Sequence, residues 1–532
     1  MVGSLLLLLF VLIFGCYVPI YALFHDHSRP VTLAHLGMYT TLGVASLGVL
    51  TICAKAAGID MKAAILPGML LSIYVLIRDR RACVPQLHLP EYPLHTGLGV
   101  GIAGIYFLYT LAQGLVKGTG AYPAMFFELD VAYYLGQIHA LIRNDGWPVL
   151  SLNNLGVVMR THYGAQSSCA ILSVLTGFPP HTILFLIYMP LMALGVISAA
   201  WLIIREYISP TSKPLIWLGM LVLLFGTSFY PLDRVLFTIS RMGVSVPAVK
   251  NFVRMFFDPD LFGFLTDFHL IPSSFSGIAL VMIFLYGFQN LANTFRRRLV
   301  TFTVGILIAF KAPYFLTVGA GYGVWVLCEM ARTRQIKLFF SPAIALCIAI
   351  GINLIAAPAQ HYTFIFVPGR FLMDQKFIAT LGTLLLLGGL AILAVPNFMT
   401  IFKKTRAWSY WIFILLPLIF TNLVSTTLEG FRFGGNIFNQ DLFQVCTLIP
   451  LFLAMFVFVM LQATWEKEFF VRRYLAVFVL VLLLLIPASH KLLHAVLPVF
   501  APQAIRAESI QNHPLAEALA AIPVEGSIIA TN

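Results

Sequence analysis

The sequence predicts an all-α polytopic membrane protein with about 14 transmembrane helices (range about 11–15) and further juxtamembrane helices along its outer face. Three observations predict it. The 532 residues are 60% hydrophobic and only 10% charged, with a mean hydropathy of +0.92, whereas soluble domains carry about 25% charged residues. Apolar runs long enough for a bilayer core, about 20 residues, recur along the chain. Basic residues fall in short clusters between those runs, as they do in cytoplasmic loops. The runs are too long and too uniformly apolar for barrel strands, and a helix satisfies its own backbone hydrogen bonds inside lipid.

Taken in order, the predicted spans are 3–23, 37–54, 63–78, 95–116, 182–203, 214–230, 271–293, 299–311, 313–331, 338–357, 377–396, 408–427, 442–463 and 474–489. The first run, Ser4 to Phe24, lacks a basic leader and a small-residue cleavage site, so it reads as a retained span. Basic clusters follow alternate spans from the third onward: Arg78, Arg80 and Arg81; Arg205 and Lys213; Arg296, Arg297 and Arg298; Arg332, Arg334 and Lys337; Lys403, Lys404 and Arg406; Lys467, Arg472 and Arg473. These loops are expected to be cytoplasmic, with both termini outside. Most of the 21 Asp and Glu then fall in the long outer loops 117–181, 231–270, 358–376 and 428–441 and in the tail from His490. The short inner loops read as plain connectors, and function is expected on the outer face.

The net charge of +12 belongs to this loop pattern, so no nucleic-acid partner is expected. The seven cysteines are scattered without CxxC or metal-ligand spacing, which argues against a disulfide framework or a zinc site. Nor is there a GxGxxG, P-loop, HExxH or GxSxG motif, or an internal repeat.

Two segments depart from simple crossing. Residues 163–178 (YGAQSSCAILSVLTGF) are apolar, but a full crossing would invert every later basic cluster. They read instead as a re-entrant or interfacial helix on the outer side. The eighth predicted span is about 13 residues, roughly 20 Å of helix, and ends at Lys311-Ala312-Pro313. A lysine at such a break is a functional candidate, although a snorkelling lysine has the same local pattern. The tail 490–532 is polar and reads as the start of a small outer α/β domain, with PLAEALAAIP helical and GSIIATN a strand.

The longest polar break in the first half runs from Phe126 to Gly164. It carries Glu128 and Asp130, the amphipathic stretch AYYLGQIHALIRNDGWP, and Arg160, His162 and Tyr163 at its close. A carboxylate within hydrogen-bond reach serves as a general base; the same acids also suit the first turn of a helix. The Phe-rich stretch Phe252 to Phe268 reads as an interfacial helix.

This sequence of an acid pair, the aromatic pair Tyr133-Tyr134, the turn Asp145-Gly146-Trp147-Pro148 and the helix start His162-Tyr163-Gly164 resembles the GT-C superfamily of multi-span glycosyltransferases. Tyr230-Pro231-Leu232-Asp233 in the second outer loop and Ala309-Phe310-Lys311-Ala312-Pro313-Tyr314 add to the resemblance, which covers about residues 120 to 490. It implies a GT-C-like core over 95–489; the extra transmembrane helices in 1–94 depart from the common plan of that superfamily. The implied donor is a polyprenyl-phosphate-linked sugar, and the acceptor an outer-face glycan, lipid or protein, with inversion at the anomeric carbon. Asp130 would be the base and Glu128 its neighbour. His162, Tyr163, Lys311, Arg370, Arg432 and Asp233 would bind substrate, the cations beside the phosphate leaving group. A divalent metal shared by Glu128 and Asp130 fits hard-cation chemistry, while many enzymes of this fold resemble metal-free catalysts. The expected location is a bacterial inner membrane with the active face outward. Two alternatives stand beside the enzyme: a lipid-linked glycan transporter or flippase, and a non-catalytic GT-C-like envelope assembly protein.

Overall fold

The computed structural model describes residues 2–26, 29–78, 92–118, 129–144, 147, 149, 163–207, 213–225, 272–356, 362–366, 368, 407–428 and 448–465. These residues form a helical bundle with one two-stranded ribbon. The helices are α1 (Val2–Phe24), α2 (Leu33–Ala56), α3 (Met61–Arg78), α4 (Pro93–Gly118), α5 (Leu129–Arg143), α6 (Tyr163–Thr176), α7 (Pro180–Tyr207), α8 (Leu215–Phe225), α9 (Pro272–Phe288), α10 (Thr294–Phe310), α11 (Ala312–Thr333), α12 (Ile336–Ala356), α13 (Trp408–Leu423) and α14 (Ile449–Trp465). Among the described residues, six helices are long and apolar enough to cross a membrane: α1, α2, α3, α7, α11 and α12. Together with the composition, they make this a membrane protein. The predicted spans 377–396 and 474–489 lie outside the described residues, as do the loops 231–270 and 429–441 and the tail; helices occupy the other predicted positions.

Helix α2 is the centre of the bundle. Most of its residues are buried, whereas the peripheral α3 and α12 bury few of theirs. Small residues on α2 let neighbouring backbones approach, the usual device where lipid removes the hydrophobic drive between helices. A Cβ on Gly43 would come within 2.5 Å of the Cys16 backbone of α1. Thr41 Oγ1 donates to Leu191 O of α7 at 2.8 Å as well as to Gly37 O at 3.0 Å. Helices α1 and α7 contain π-helical segments, Val11–Tyr17 and Ile183–Tyr188. Each segment is followed two residues later by a proline, Pro19 or Pro190, whose missing N–H disturbs the ladder of the preceding turn.

Two elements differ from the sequence expectation. The short eighth span is a longer helix, Thr294–Phe310, because Asn293 caps it: its side-chain oxygen accepts from Phe295 N at 2.9 Å and Arg296 N at 3.2 Å. Arg296, Arg297 and Arg298 therefore belong to the first helical turns and not to a connecting loop. The span expected over 408–427 stops at Leu423. Val424–Leu428 (β2) pairs antiparallel with Tyr362–Phe366 (β1), with Phe364 opposite Thr426. The β-branched run Val424, Thr426 and Thr427 suits a strand.

Candidate functional site

Helix α5 begins at Leu129, so Asp130 lies in its first turn, where an acid is favoured by the helix dipole. The side chains of residues 129–133 lie outside the described set. Further along, Gln137, Ile138, Ala140 and Leu141 are buried, and this face packs along α6. Gln166 Nε2 of α6 donates to Gln137 Oε1 at 2.7 Å. Gln166 Oε1 and Ser167 Oγ, both buried, have no hydrogen-bond partner among the described residues.

Helix α6 is buried from Tyr163 through Ser173. Ser168 Oγ bridges Gly164 O at 2.9 Å and Val44 O of α2 at 3.1 Å. Gly177 ends the helix with φ +74°, its N–H bonded to Ser173 O at 2.8 Å, a left-handed cap that suits glycine. At the other end, a Cβ on Gly164 would lie 2.9 Å from Ala309 O and from the Phe310 ring. The first turn of α6 thus rests on the last turn of α10, immediately before Lys311. The Trp147 ring stands 5.3 Å from that of Tyr163, and Trp147 Nε1 donates to Ile355 O at 2.7 Å.

Lys311 is the break between α10 and α11, in extended conformation (φ −156°, ψ 98°). Its N–H closes α10 on Leu307 O at 2.9 Å, and its carbonyl accepts from Tyr314 N and Phe315 N to open α11. Pro313 in the first turn of α11 sits where a missing N–H costs nothing. The lysine is only 5% exposed. It packs beside Gly277 of α9, where an added Cβ would stand 3.3 Å from Lys311 Cβ. Lys311 ends α10 and starts α11, so the dipoles of the two helices act on its charge in opposite senses. Around the break, Tyr134 Oη pairs with Ser273 Oγ at 3.0 Å and Tyr188 Oη with Ser276 Oγ at 2.7 Å.

Of the predicted site residues, Tyr163 and Lys311 are brought to this one region, with Gly164 as the contact between their helices. The expectations at Glu128, His162, Asp233, Arg370 and Arg432, and at the Asp130 side chain, fall outside the described residues. So does the carboxylate pair considered for a divalent cation. Among the described residues, no group of three His, Cys, Asp or Glu side chains is placed to hold a metal.

A second polar cluster lies at the opposite end of α10, where the sequence suggested plain connectors. Arg296 is 5% exposed. Its Nη1 donates to Glu206 Oε2 at 2.9 Å and its Nη2 reaches Glu206 Oε1. The guanidinium carbon lies 4.3 Å from the Tyr286 ring centroid, and Nη2 donates to Tyr286 Oη at 3.2 Å. His35 Nδ1 accepts from Thr32 N at 3.2 Å, which leaves Nε2 to donate to Tyr286 Oη at 3.3 Å. His25 Nε2 faces Arg29 O at 2.9 Å, so it carries the proton, and Nδ1 accepts from Tyr39 Oη at 3.2 Å. The signals were local: Asn293 as a cap ahead of Arg296, and Glu206 at the end of an apolar run.

Compared with protein-family models, curated proteins and solved structures, the chain matches none.

Proposed function

We propose that this protein is an integral-membrane glycosyltransferase of GT-C type with about 14 spans, transferring a sugar from a polyprenyl-phosphate donor to an acceptor on the outer face of a bacterial inner membrane. The observation that carries the reading is the meeting of α6 and the α10–α11 break. A buried helix starts at Tyr163 against Ala309 and Phe310, beside the buried Lys311, and α5, which begins at Leu129-Asp130, packs along it. In this reading Asp130 takes the acceptor hydroxyl proton. The acceptor oxygen attacks the anomeric carbon, and the bond from that carbon to the phosphate oxygen breaks with its electron pair. Lys311 offsets the charge growing on the leaving phosphate, which is where a preorganised cation lowers a barrier. The polar pairs at Gln137–Gln166 and Tyr134–Ser273 supply hydroxyl and amide groups of the kind that bind sugars.

The test is Asp130→Asn in purified protein given a polyprenyl-phosphate sugar and an outer-face glycan acceptor. Transfer should be lost while the melting temperature holds. Full retained transfer would remove Asp130 as the base. Loss of lipid flipping with no transfer by the native protein would favour the transporter reading instead.

A further inference from the structure

We infer that Gln166 and Ser167, in the first turns of α6, read a hydroxyl of the ligand and select its sugar. The choice of a sugar rests on the glycosyltransferase reading; the need for a hydroxyl-bearing ligand rests on the geometry of α6. Gln166 is 1% exposed and Ser167 0%, and neither Gln166 Oε1 nor Ser167 Oγ has a hydrogen-bond partner among the described residues. Two neighbouring polar groups left unpaired inside a membrane protein are costly, because lipid offers them nothing to bond.

The other hydroxyls of α6 are treated differently. Ser168 Oγ donates to Gly164 O at 2.9 Å, Ser173 Oγ to Phe178 O at 2.6 Å and Thr176 Oγ1 to Leu172 O at 2.6 Å. Ser167 has the carbonyl of Tyr163 four residues back and does not use it, so its hydroxyl is turned away from the helix backbone. Gln166 is fixed from one side only. Its Nε2 donates to Gln137 Oε1 of α5 at 2.7 Å, which anchors the amide and leaves Oε1 as an acceptor. Adjacent residues thus present a free acceptor and a free hydroxyl. A sugar hydroxyl, both donor and acceptor, completes such a pair.

The pair also lies among the right helices. At about 100° per residue, Ser167 falls between the Gly164 face of α6, which rests on α10, and the Gln166 face, which meets α5. Helices α5 and α10 are joined again through α9: Tyr134 pairs with Ser273, and Gly277 stands beside Lys311. Gln166 and Ser167 therefore belong to the ring of helices that holds Lys311, the cation assigned to the phosphate. Tyr163 shares their face at the i, i+3, i+4 spacing, and its ring stands 5.3 Å from that of the half-buried Trp147. This aromatic end is the one nearest the surface, and a ligand reaches the pair only when neighbouring side chains part.

The experiment uses the full chain in phospholipid nanodiscs, free of glycoside detergent and without an acceptor. The probes are polyprenyl-phosphate-linked glucose, mannose and galactose, and polyprenyl phosphate without a sugar, with binding read by native mass spectrometry. At least one glycosylated lipid should bind more tightly than the sugar-free lipid. Ser167→Ala and Gln166→Met should each cut that preference about tenfold, as loss of a hydrogen bond to a hydroxyl does, and leave the affinity for the sugar-free lipid unchanged. Ser167→Thr keeps the hydroxyl and should keep part of the preference, which a purely structural serine does not predict. The native preference retained in both Ser167→Ala and Gln166→Met, or no preference for any glycosylated lipid in the native chain, overturns the inference. Binding and transfer separate in this design. A preference lost in the variants keeps the inference even where the native chain transfers no sugar, and native transfer with the preference intact in the variants removes the inference alone.

Discussion

Arg296 and Glu206 are 90 residues apart in the chain, and the guanidinium closes on both carboxylate oxygens, with Nη1 to Oε2 at 2.9 Å. The pair joins α10 to α7, and Tyr286 and His35 extend it to α9 and α2. Removing one partner of a buried pair leaves an uncompensated charge. Arg296→Ala is expected to cost about 3 kcal/mol, the low end for buried pairs because the Glu206 side chain is 24% exposed. Arg296→Met with Glu206→Leu should recover most of that loss, since the apolar pair needs no desolvated charge. Denaturant unfolding in mild detergent, followed by tryptophan fluorescence, checks both.

The approach of α6 to α2 depends on Gly48. A Cβ there would run into Ser168 Oγ and lie 2.6 Å from Gly164 O. The carbonyl is fixed backbone that already accepts from Ser168, so nothing on that side can swing away. Gly48→Ala should destabilise by about 1–3 kcal/mol, as overpacking does, and Gly48→Leu by more. Gly323, where an added Cβ meets nothing within 4 Å, is the control: Gly323→Ala should be neutral or slightly stabilising, because alanine is the better helix former. Thermal melts of the three variants against the native protein decide this.

The helices were legible because long apolar runs recur between polar breaks, six of them long enough to cross a membrane among the described residues, and the break at Lys311 was legible because Pro313 cannot continue the preceding ladder. The expectation that residues 163–178 re-enter from the outer side came from charge bookkeeping; residues 163–176 form a short buried helix. The Arg296 cluster was not legible. A run of three arginines after an apolar span looks like a loop; the Asn293 cap places Arg296 in a helix, and only its buried contacts with Glu206 and Tyr286 turn it inward. Its partners, Glu206 and His35, come from distant helices, and no local pattern pairs them. The ribbon was missed because the span expected over 408–427 was carried past the apolar run into Val424–Leu428 (VSTTL), and its partner strand Tyr362–Phe366 is distant in sequence.

His139 gives a pH dependence. Partial burial, then the Arg143 guanidinium, then His181 hold its imidazole below the ordinary 6.5. The unfolded chain therefore takes up this proton at a higher pH than the folded chain does. The stability tied to the neutral ring is full above about pH 6.5 and is lost as the pH falls through that value. Melting temperatures between pH 7.5 and 5.5 should fall, and His139→Gln should flatten the slope. An unchanged slope in the variant would show that other groups govern the acid response.

Lys311 separates a structural cation from a catalytic one. Its backbone forms both helix ends at the break, so Lys311→Met keeps those backbone bonds while it removes the ammonium. The fold at the break should therefore persist, with a cooperative thermal melt. If Lys311 stabilises the leaving phosphate, kcat should fall about 100-fold or more with a smaller change in KM, because a donor aimed at developing charge acts mostly in the transition state. Lys311→Arg keeps the charge in a bulkier, planar form beside Gly277, where space is short, so it should restore only part of the rate. A Lys311→Met protein that melts lower and transfers sugar at the native rate would make the lysine a structural plug of the break.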